Sequence, residues 1–260
     1  SSGFLSKVGN DYFGRQLLEL WQRENVDCSH VAQHPEAPTG IYFVTHDTGG
    51  HHFSYYRKGS AASHLTPEDV PVEFLAQTRI LHLSAITQAI STSSCETAFA
   101  AINCARKRGV RISYDTNLRV KLWSLEQARE VIHCTVPLCD VLFPSLDDVT
   151  ALTGLKEPAA ITDFYLNLGA KLVVLKLGAQ GVLVADGKQS KHIPGHMVQT
   201  VDATGAGDAF DGAFLSEWLR QDDPFAAAKY ANAAASISTT QFGAVDSIPK
   251  RAAVEAFLGR

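Results

Sequence analysis

The sequence lacks the features of a membrane protein and of a nucleic-acid-binding protein. No apolar run reaches the roughly 18 residues that a membrane span needs, and the first residues lack the charged and apolar regions of a signal peptide. An extended basic run is also absent, and the net charge is −4. We therefore expect a cytoplasmic protein whose partners include neither nucleic acid nor a membrane.

Cysteine and histidine give no metal-binding pattern. The five cysteines are scattered without C-x-x-C spacing, so we interpret them as reduced and mostly structural. His51 and His52 are adjacent in a predicted turn, but they have no carboxylate or thiol at ligand spacing. We interpret this pair as surface polar residues.

The order of the predicted elements favours an α/β fold. With 260 residues, of which 45% are apolar, the chain can bury one large core. Beyond residue 66, strands and helices alternate, which is typical of a mostly parallel sheet covered by helices on both faces. Strands are predicted over 79–84, 110–114, 140–143, 171–176, 181–185 and 189–193. Helices are predicted over 94–108, 124–134, 145–154 and 158–169.

The N-terminal part predicts a strand over 4–8, a helix over 11–23, a loop and then a β-hairpin. Two β-rich runs, 39–44 and 52–57, flank a Gly-bearing turn. Because side chains alternate along a strand, we expect Tyr55 and Arg57 on one face, where Tyr42 can join them. A hairpin with ordinary cross-strand aromatic pairs is an equally good interpretation.

The stretch 201–210 predicts an anion-binding helix start. Gly205 and Gly207 stand where a helix should begin, and a helix N-terminus offers unpaired N–H groups and a partial positive charge. The spacing fits neither a G-x-G-x-x-G loop nor a P-loop. Phe210, Phe214 and Trp218 recur at the spacing of one helix face. Glycines and an acid at a helix start are also ordinary capping chemistry, so both interpretations stay open here.

Longer motifs resemble a known family. VGNDYFGR at 8–15 and DATGAGDAF at 202–210 are similar to motifs of the ribokinase-like sugar kinases, also called the phosphofructokinase B family. PTGIYF at 38–43, YYRKGSAASHL at 55–65 and DTNLR at 115–119 resemble the family's kinases of 2-keto-3-deoxygluconate. The resemblance implies a three-layer α/β/α domain over 1–39 and 60–260, with a mostly parallel central sheet and a small β lid over 40–59.

The resemblance implies transfer of a phosphoryl group from ATP to a sugar hydroxyl, with Mg²⁺ as a cofactor and a monovalent cation as a further candidate. Gly205, Ala206 and Gly207 would donate backbone hydrogen bonds to that group, and Asp208 would be the catalytic base. The alternatives are a kinase of fructose, ribose or keto-deoxy galactonate, and a non-catalytic sugar-binding relative.

Further roles follow from the same resemblance. The sugar acid is expected to contact Asp208 and four residues with aromatic or guanidinium groups, Tyr42, Tyr55, Arg57 and Arg119. Arg119 is equally a candidate for the ATP phosphates. The nucleotide is expected to contact Asn117, Arg119, Lys176, Gly178, Gly181, Gly205, Gly207 and Asn232. Relatives pair their lid strands between subunits, which implies a homodimer.

The sequence departs from the family at two places. Many members carry an N-x-x-E element that orders Mg²⁺ through water, whereas SLDD occupies 145–148. Asp148 is the candidate for this role, although S-x-x-D is also a helix capping box. Members also begin with roughly fifty more residues. We therefore expect this span alone to be weakly active or poorly soluble, since its sheet would have an unpaired edge.

Overall fold

The described chain divides into two compact units. The computed structural model describes residues 1–47 and 50–259, without the side chains of 46, 47 and 50–53. The first unit comprises Ser1–Ile112 and Arg119–Ala128, and the second comprises Ser113–Leu118 and Arg129–Arg260. The sequence-based separation of a lid over 40–59 from one larger domain stays a prediction.

The first unit opens with a strand, a helix and a second strand. Asp11 caps the helix by accepting a hydrogen bond from the Gly14 amide at 2.8 Å, which confirms the predicted helix start. The elements of this unit are β1 (Ser2–Gly9), α1 (Tyr12–Arg23), β2 (Val26–His34), β3 (Ile41–Asp47), β4 (Gly50–Tyr56), α2 (Val72–Ala76), β5 (Ile80–Ser84), α3 (Ala85–Ala89) and α4 (Thr92–Arg106).

The segment between α1 and the hairpin is a strand, although the sequence predicts a loop there. β2 pairs in parallel with β1, with Ser6 opposite Val31 and Val8 opposite Gln33. Many of its side chains are polar, and they range from partly buried to exposed. β2 is stabilised by pairing with β1, which precedes α1 in the sequence. A partner strand separated by a helix leaves no local signal in the sequence.

The predicted β-hairpin is present. β3 and β4 pair in antiparallel fashion, with Tyr42 opposite Tyr55. The predicted turn residues 48–49 lie outside the described residues, as do the side chains of the histidine pair 51–52. The two tyrosines therefore form a cross-strand pair, as the alternation of side chains predicts.

The capping box at Thr66 forms, but it starts only one turn. The Asp69 carboxylate accepts a hydrogen bond from the Thr66 amide at 2.8 Å, and the turn is a 3-10 helix over Pro67–Asp69. Pro71 disfavours helical backbone in the residue before it, so this turn cannot continue into α2.

The second unit contains the mostly parallel sheet that the sequence predicts. In the strand order β10-β9-β8-β7-β6, neighbours among β6, β7 and β8 run parallel, while β9 and β10 are antiparallel additions. The elements that complete the chain are β6 (Arg111–Asp115), α5 (Leu125–Thr135), β7 (Val141–Phe143), α6 (Leu146–Thr153), α7 (Pro158–Leu168), β8 (Val173–Lys176), β9 (Val182–Ala185), β10 (Ser190–Ile193), α8 (Ala206–Gln221), α9 (Pro224–Ser238) and α10 (Arg251–Phe257).

Aromatic packing fixes α8 against the strand ends of this unit. Phe143, the last residue of the fully buried β7, meets the Phe214 ring edge-on at 5.1 Å. Phe214 also contacts Phe210 and Trp218, with ring centroids 6.2 and 6.0 Å away. The helix face predicted from these three aromatic residues is therefore confirmed, and it faces the sheet.

Some short helices were not predicted from the sequence, whereas the longer ones were. The start of the helix predicted over 124–134 is confirmed by a capping box, in which Ser124 and Gln127 exchange hydrogen bonds of 3.2 Å. By contrast, α3 and α10 were not predicted, because five and seven residues are too few to show a helical period. Within the described residues, none of the helices is long and apolar enough to cross a membrane.

An ion pair attaches α10 to the rest of the second unit. Glu217 of α8 has 2% of its side chain exposed and lies 2.8 Å from Arg251. Gln221 also donates a hydrogen bond to Glu217. Exposed Arg220 is a more distant partner of this carboxylate, at 3.6 Å. Glu217 therefore depends mainly on Arg251 for its neutralisation.

Replacing Arg251 with methionine is expected to lower the free energy of unfolding by about 1–3 kcal/mol, because the buried Glu217 carboxylate would lose its main partner. Urea unfolding followed by circular dichroism measures the change. Arg220→Met is the matched control, and since Arg220 is 55% exposed, its loss should cost less than about 1 kcal/mol. Equal losses in the two variants would contradict the role assigned to Arg251.

Candidate active site

The carboxyl ends of β6, β7 and β8 lie side by side in the second unit. Lys176, the last residue of β8, donates its backbone N–H to the Pro144 carbonyl at 2.8 Å, and the Thr116 amide donates to the Phe143 carbonyl at 3.4 Å. The loops that leave these strands are therefore neighbours. This edge of a parallel sheet is where ligands usually bind.

A buried group of charges occupies this edge. The Lys176 ammonium lies 3.1 Å from the Asp115 carboxylate and 3.2 Å from that of Asp211. Burial alone would lower the pKa of Lys176, but the two carboxylates outweigh it and raise the pKa above its ordinary value. Lys176 was predicted to contact the nucleotide, and the structure adds that its charge is already neutralised by protein groups.

Gly205 caps α8 in a left-handed conformation, with φ +77°. A Cβ atom at this position would lie 2.8 Å from the Cβ of Ala244, so a side chain meets both torsional strain and a collision. Its carbonyl accepts the first α-helical bond, from the Ala209 amide at 2.8 Å. Within the described structure the cap makes no side-chain hydrogen bond. The first turn of α8 thus has the form of an anion-binding helix start.

The Asp202 carboxylate fixes the loop in front of α8. It accepts hydrogen bonds from the Thr204 amide at 2.9 Å and the Thr204 hydroxyl at 2.7 Å, and a third from the Gly243 amide at 3.0 Å. The backbone amide of Asp202 itself donates to the Thr239 carbonyl at 3.1 Å. This buried acid therefore ties the glycine-rich turn to the segment after α9.

Asp208 lies in the first turn of α8 and is exposed. The positive end of the helix dipole favours the ionised form of a carboxylate at this position. An ionised carboxylate only accepts hydrogen bonds, so it can orient a hydroxyl group while the neighbouring backbone amides bind an anion. The arrangement supports a base beside an anion-binding site.

Asp148 has a structural task in α6. Its backbone amide donates the predicted capping hydrogen bond to the Ser145 hydroxyl at 3.2 Å. Its carboxylate accepts hydrogen bonds from the Thr116 hydroxyl at 3.3 Å and the Leu118 amide at 3.2 Å. Across the described residues, no three or more His, Cys, Asp or Glu side chains cluster so as to hold a metal ion. Asp148 is therefore a single, oriented carboxylate and not part of a protein cage for a metal.

The residues predicted for the nucleotide meet in small groups. Gly181 has φ +93°, and a side chain there would collide with the Ile193 carbonyl. Asn232 donates from its amide to the carbonyls of Ile193 and Pro194, at 3.0 and 3.1 Å. Both residues therefore shape the segment that leaves β10. Asn117, in the loop after β6, has φ +22°, and its backbone N–H donates a hydrogen bond to the Asp115 carboxylate at 3.2 Å.

Four of the five residues predicted for the sugar acid, all except Asp208, lie in the first unit. The rings of Tyr42 and Tyr55 are 5.9 Å apart. Burial lowers the pKa of Arg57, against the effects of both tyrosines, and the neighbouring Arg119 lowers it further. Nε of Arg57 is buried and has no hydrogen-bond partner among the described residues. Two guanidinium groups close together, one with an unsatisfied donor, favour an anionic ligand.

Comparison with known proteins identifies the family. The sequence profile of the pfkB family carbohydrate kinases matches residues 1–251. The chain belongs to this family. The predicted ribokinase-like fold and the assignment to carbohydrate kinases are therefore confirmed.

Individual relatives include kinases of two kinds of sugar. The chain is 36% identical to a 2-dehydro-3-deoxygluconokinase from Thermoproteus tenax, over 98% of this chain and 78% of that protein. It is 32% identical to fructokinase-2 from Zea mays, over 100% of this chain and 80% of that protein. A fructokinase from Vibrio cholerae O395, solved with fructose, ADP and calcium ion, is 33% identical with a TM-score of 0.90, over 99% and 85% of the two chains.

Sequence reasoning about this pfkB-family kinase did not single out Asp115, Asp202 and Asp211 as individual residues. Each is buried and satisfied by groups distant in the chain. The signal that could have found them is a carboxylate inside an otherwise apolar run or motif, because such a group must have a partner. The partner itself cannot be read from the sequence.

Replacing Gly205 with alanine is expected to reduce stability by about 1–2 kcal/mol, because a Cβ disfavours the left-handed conformation and meets Ala244. The control is Gly212→Ala in the interior of α8, where a Cβ has open space and should stabilise the helix by about 0.5–1 kcal/mol. Urea unfolding of both variants measures the two shifts. A stabilised Gly205→Ala variant would show that the cap can form without this conformation.

Proposed function

We propose that the chain transfers the γ-phosphoryl group of ATP to the terminal hydroxyl of 2-keto-3-deoxygluconate, also called 2-dehydro-3-deoxygluconate, to give the 6-phosphate. The observation that carries this proposal is the pair of guanidinium groups, Arg57 and Arg119, beside Tyr42 and Tyr55 in the first unit. A sugar acid differs from a neutral sugar in its carboxylate, which a guanidinium group binds through two parallel hydrogen bonds. The similarity to the Thermoproteus tenax enzyme supports this substrate.

The setting of Arg57 explains why an anion is preferred. A buried donor without a partner costs about 1–3 kcal/mol. Burial is the main reason that the pKa of Arg57 is lowered, and repulsion from the nearby Arg119 adds to it. A bound carboxylate would accept the unsatisfied hydrogen bond and offset the repulsion between the two guanidinium groups, whereas a neutral sugar offers only hydroxyl groups. The binding free energy should therefore be more favourable for the acid than for fructose or ribose.

In this proposal, catalysis belongs to the first turn of α8. The backbone amides of 205–207 would bind the phosphoryl group as its charge develops, and Asp208 would accept the proton of the attacking hydroxyl. Since an ionised carboxylate cannot donate hydrogen bonds to phosphate, donors and base are different groups. Phosphoryl transfer needs mainly positioning and charge neutralisation, which this arrangement supplies.

The nucleotide would contact the strand-end loops of the second unit. Asn117 and Lys176 stand at the ends of β6 and β8, while Gly178, Gly181 and Asn232 define the path of the chain around β9 and β10. Asn232 would act by holding the segment after β10, because its amide already donates to that segment. Arg119 would serve either the sugar carboxylate or the ATP phosphates.

The described residues fit a magnesium ion that ATP brings with it. Mg²⁺ in such sites keeps several waters and takes one or two carboxylates, so the single oriented carboxylate of Asp148 suits contact through water. When bound, the ion would neutralise charge on the phosphate oxygens. A double mutant of the Vibrio cholerae fructokinase was solved with potassium ion, which supports a monovalent cation as a further cofactor.

Fructose phosphorylation is the second candidate function. The 32% identity to the Zea mays fructokinase spans the whole chain, so similarity alone does not separate the two sugars. The guanidinium pair favours the acid. Keto-deoxy galactonate carries the same carboxylate and differs in stereochemistry, so this argument applies equally to it.

We also propose that the chain forms a homodimer through the hairpin and acts in the cytoplasm. Phe43 and Tyr56 are 54% and 63% exposed, and their rings pack edge to face at 5.7 Å. Exposed aromatic pairs of this kind are typical of contact surfaces. The five cysteines are reduced, which fits a reducing compartment that supplies ATP. A monomer in analytical ultracentrifugation would contradict the dimer.

Asp208→Asn is expected to lower kcat by about 10²- to 10⁴-fold while sugar binding persists, because the amide cannot accept the hydroxyl proton. Coupled detection of ADP release measures turnover, and isothermal titration calorimetry measures binding of the sugar acid. Asp222→Asn, at the other end of α8, is the control and should keep wild-type turnover. Unchanged turnover in Asp208→Asn would remove the proposed base.

Arg57→Met is expected to raise KM for 2-keto-3-deoxygluconate by about tenfold to a hundredfold, since a hydrogen bond to a charged group contributes about 1.5–3 kcal/mol. Any turnover of fructose by the same variant should keep its KM, because fructose carries no carboxylate. Arg23→Met, an exposed position at the end of α1, controls for loss of charge alone. Equal effects on the two sugars would favour the fructokinase interpretation.

A further inference from the structure

The ends of β6 and β8 hold an ammonium group between two buried carboxylates. Nζ of Lys176 lies 3.1 Å from Oδ1 of Asp115, and 3.2 and 3.3 Å from the two carboxylate oxygens of Asp211. The exposed fractions of the three side chains are 15%, 6% and 2%. An ammonium has three donors, and the three contacts match that number. Lys176 is therefore fully engaged by the protein.

The position of this cluster links it to the anion-binding turn. Asp211 lies three residues after Asp208, so the two acids are about one turn apart on α8. A Cβ atom on Gly207 would be 3.6 Å from Nζ of Lys176. The same ammonium lies 5.9 Å from the centre of the Phe143 ring. The cluster thus lies directly against the first turn of α8.

The charges of the cluster balance only with a proton. Two ionised carboxylates and one ammonium leave one negative charge in a buried place. Both carboxylates lie within 3.3 Å of the same ammonium, so their negative charges are also close to one another. Burial raises the pKa of Asp211 well above its ordinary value, and although Lys176 opposes this, Asp115 reinforces it. Both considerations place a proton between the two acids.

We propose that Asp115, Lys176 and Asp211 form a charge-balanced unit in which the two carboxyl groups share one proton, and that this unit positions the first turn of α8 and with it Asp208. Asp115 and Asp211 are positioning residues, because they hold the turn through Lys176 and do not touch the substrate. The shared proton stands independently of the activity. The effect on Asp208 rests on the proposed function.

The shared proton is tested by stability in the complete chain. Asp211→Asn can keep both hydrogen bonds without a titrating proton, because its amide accepts from Lys176 and donates to Asp115. An ordinary aspartate loses its proton near pH 4. Wild-type folding therefore takes up a proton from about pH 5 up to the raised pKa of the folded pair, and over that range the folding constant falls as pH rises, by up to about tenfold per pH unit. The variant takes up none.

Urea unfolding at pH 5, 6, 7 and 8 is therefore expected to show the folding constant of Asp211→Asn rising relative to wild type as pH increases. The control, Asp163→Asn on the exposed face of α7, should follow the wild-type profile. Parallel profiles for Asp211→Asn and wild type would overturn the shared proton.

The positioning role is tested by turnover. Asp211→Ala loses both hydrogen bonds and is expected to lower kcat by about tenfold or more, since small misplacements of a catalytic group are costly. Asp211→Asn is expected to restore most of that loss, with KM for the sugar acid little changed in either variant. Equal loss in both variants, or no loss in either, would overturn positioning. If wild type phosphorylates no sugar while the stability profiles diverge as described, the proposed function fails and the shared proton stands.

Discussion

The left-handed conformation of Gly205 is the constraint on which the candidate active site depends. The chain turns there from the preceding loop into α8, and a side chain at this position would meet Ala244. Asp202 holds the loop from the other side through hydrogen bonds to Thr204 and Gly243. A glycine conformation and a buried carboxylate together set the direction of the first-turn amides, and therefore the position at which an anion can bind.

The two proposed ligands are anions, but the residues proposed for them recognise anions in different ways. Backbone amides at the start of α8 suit a phosphoryl group, because several donors converge on one centre and demand no particular plane. Guanidinium groups such as that of Arg57 suit a carboxylate, whose two oxygens match a planar fork. In the proposed function, the amides would serve transfer to any acceptor, whereas the guanidinium pair would select the acid. Reaction type would then be a property of α8, and sugar preference a property of the residues around Arg57.

The sequence carried enough information to predict those parts of the structure that depend on neighbouring residues. The caps at Asp11 and Ser124 and the aromatic face of α8 are local patterns, and each is present. β2 was missed because its partner strand lies beyond a helix. Asp115 and Lys176 are 61 residues apart, so no local sequence pattern indicates their ion pair. Elements and polar groups whose partners are distant in the sequence were therefore the ones that could not be predicted, both in the fold and in the candidate site.

The buried cluster of Lys176 is better explained by positioning than by stability. Moving an ammonium and a carboxylate out of water costs several kcal/mol each, and apolar side chains of similar volume often stabilise a core at least as well. Apolar packing fixes the orientation of the packed elements only loosely, because it tolerates small displacements. A hydrogen-bonded charge does not tolerate them. The cluster joins two strand ends to the second turn of α8, one turn beyond Asp208. In the proposed reaction, transfer depends on how accurately the base meets the hydroxyl. A rigid polar contact here would therefore serve the chemistry even where it contributes nothing to folding.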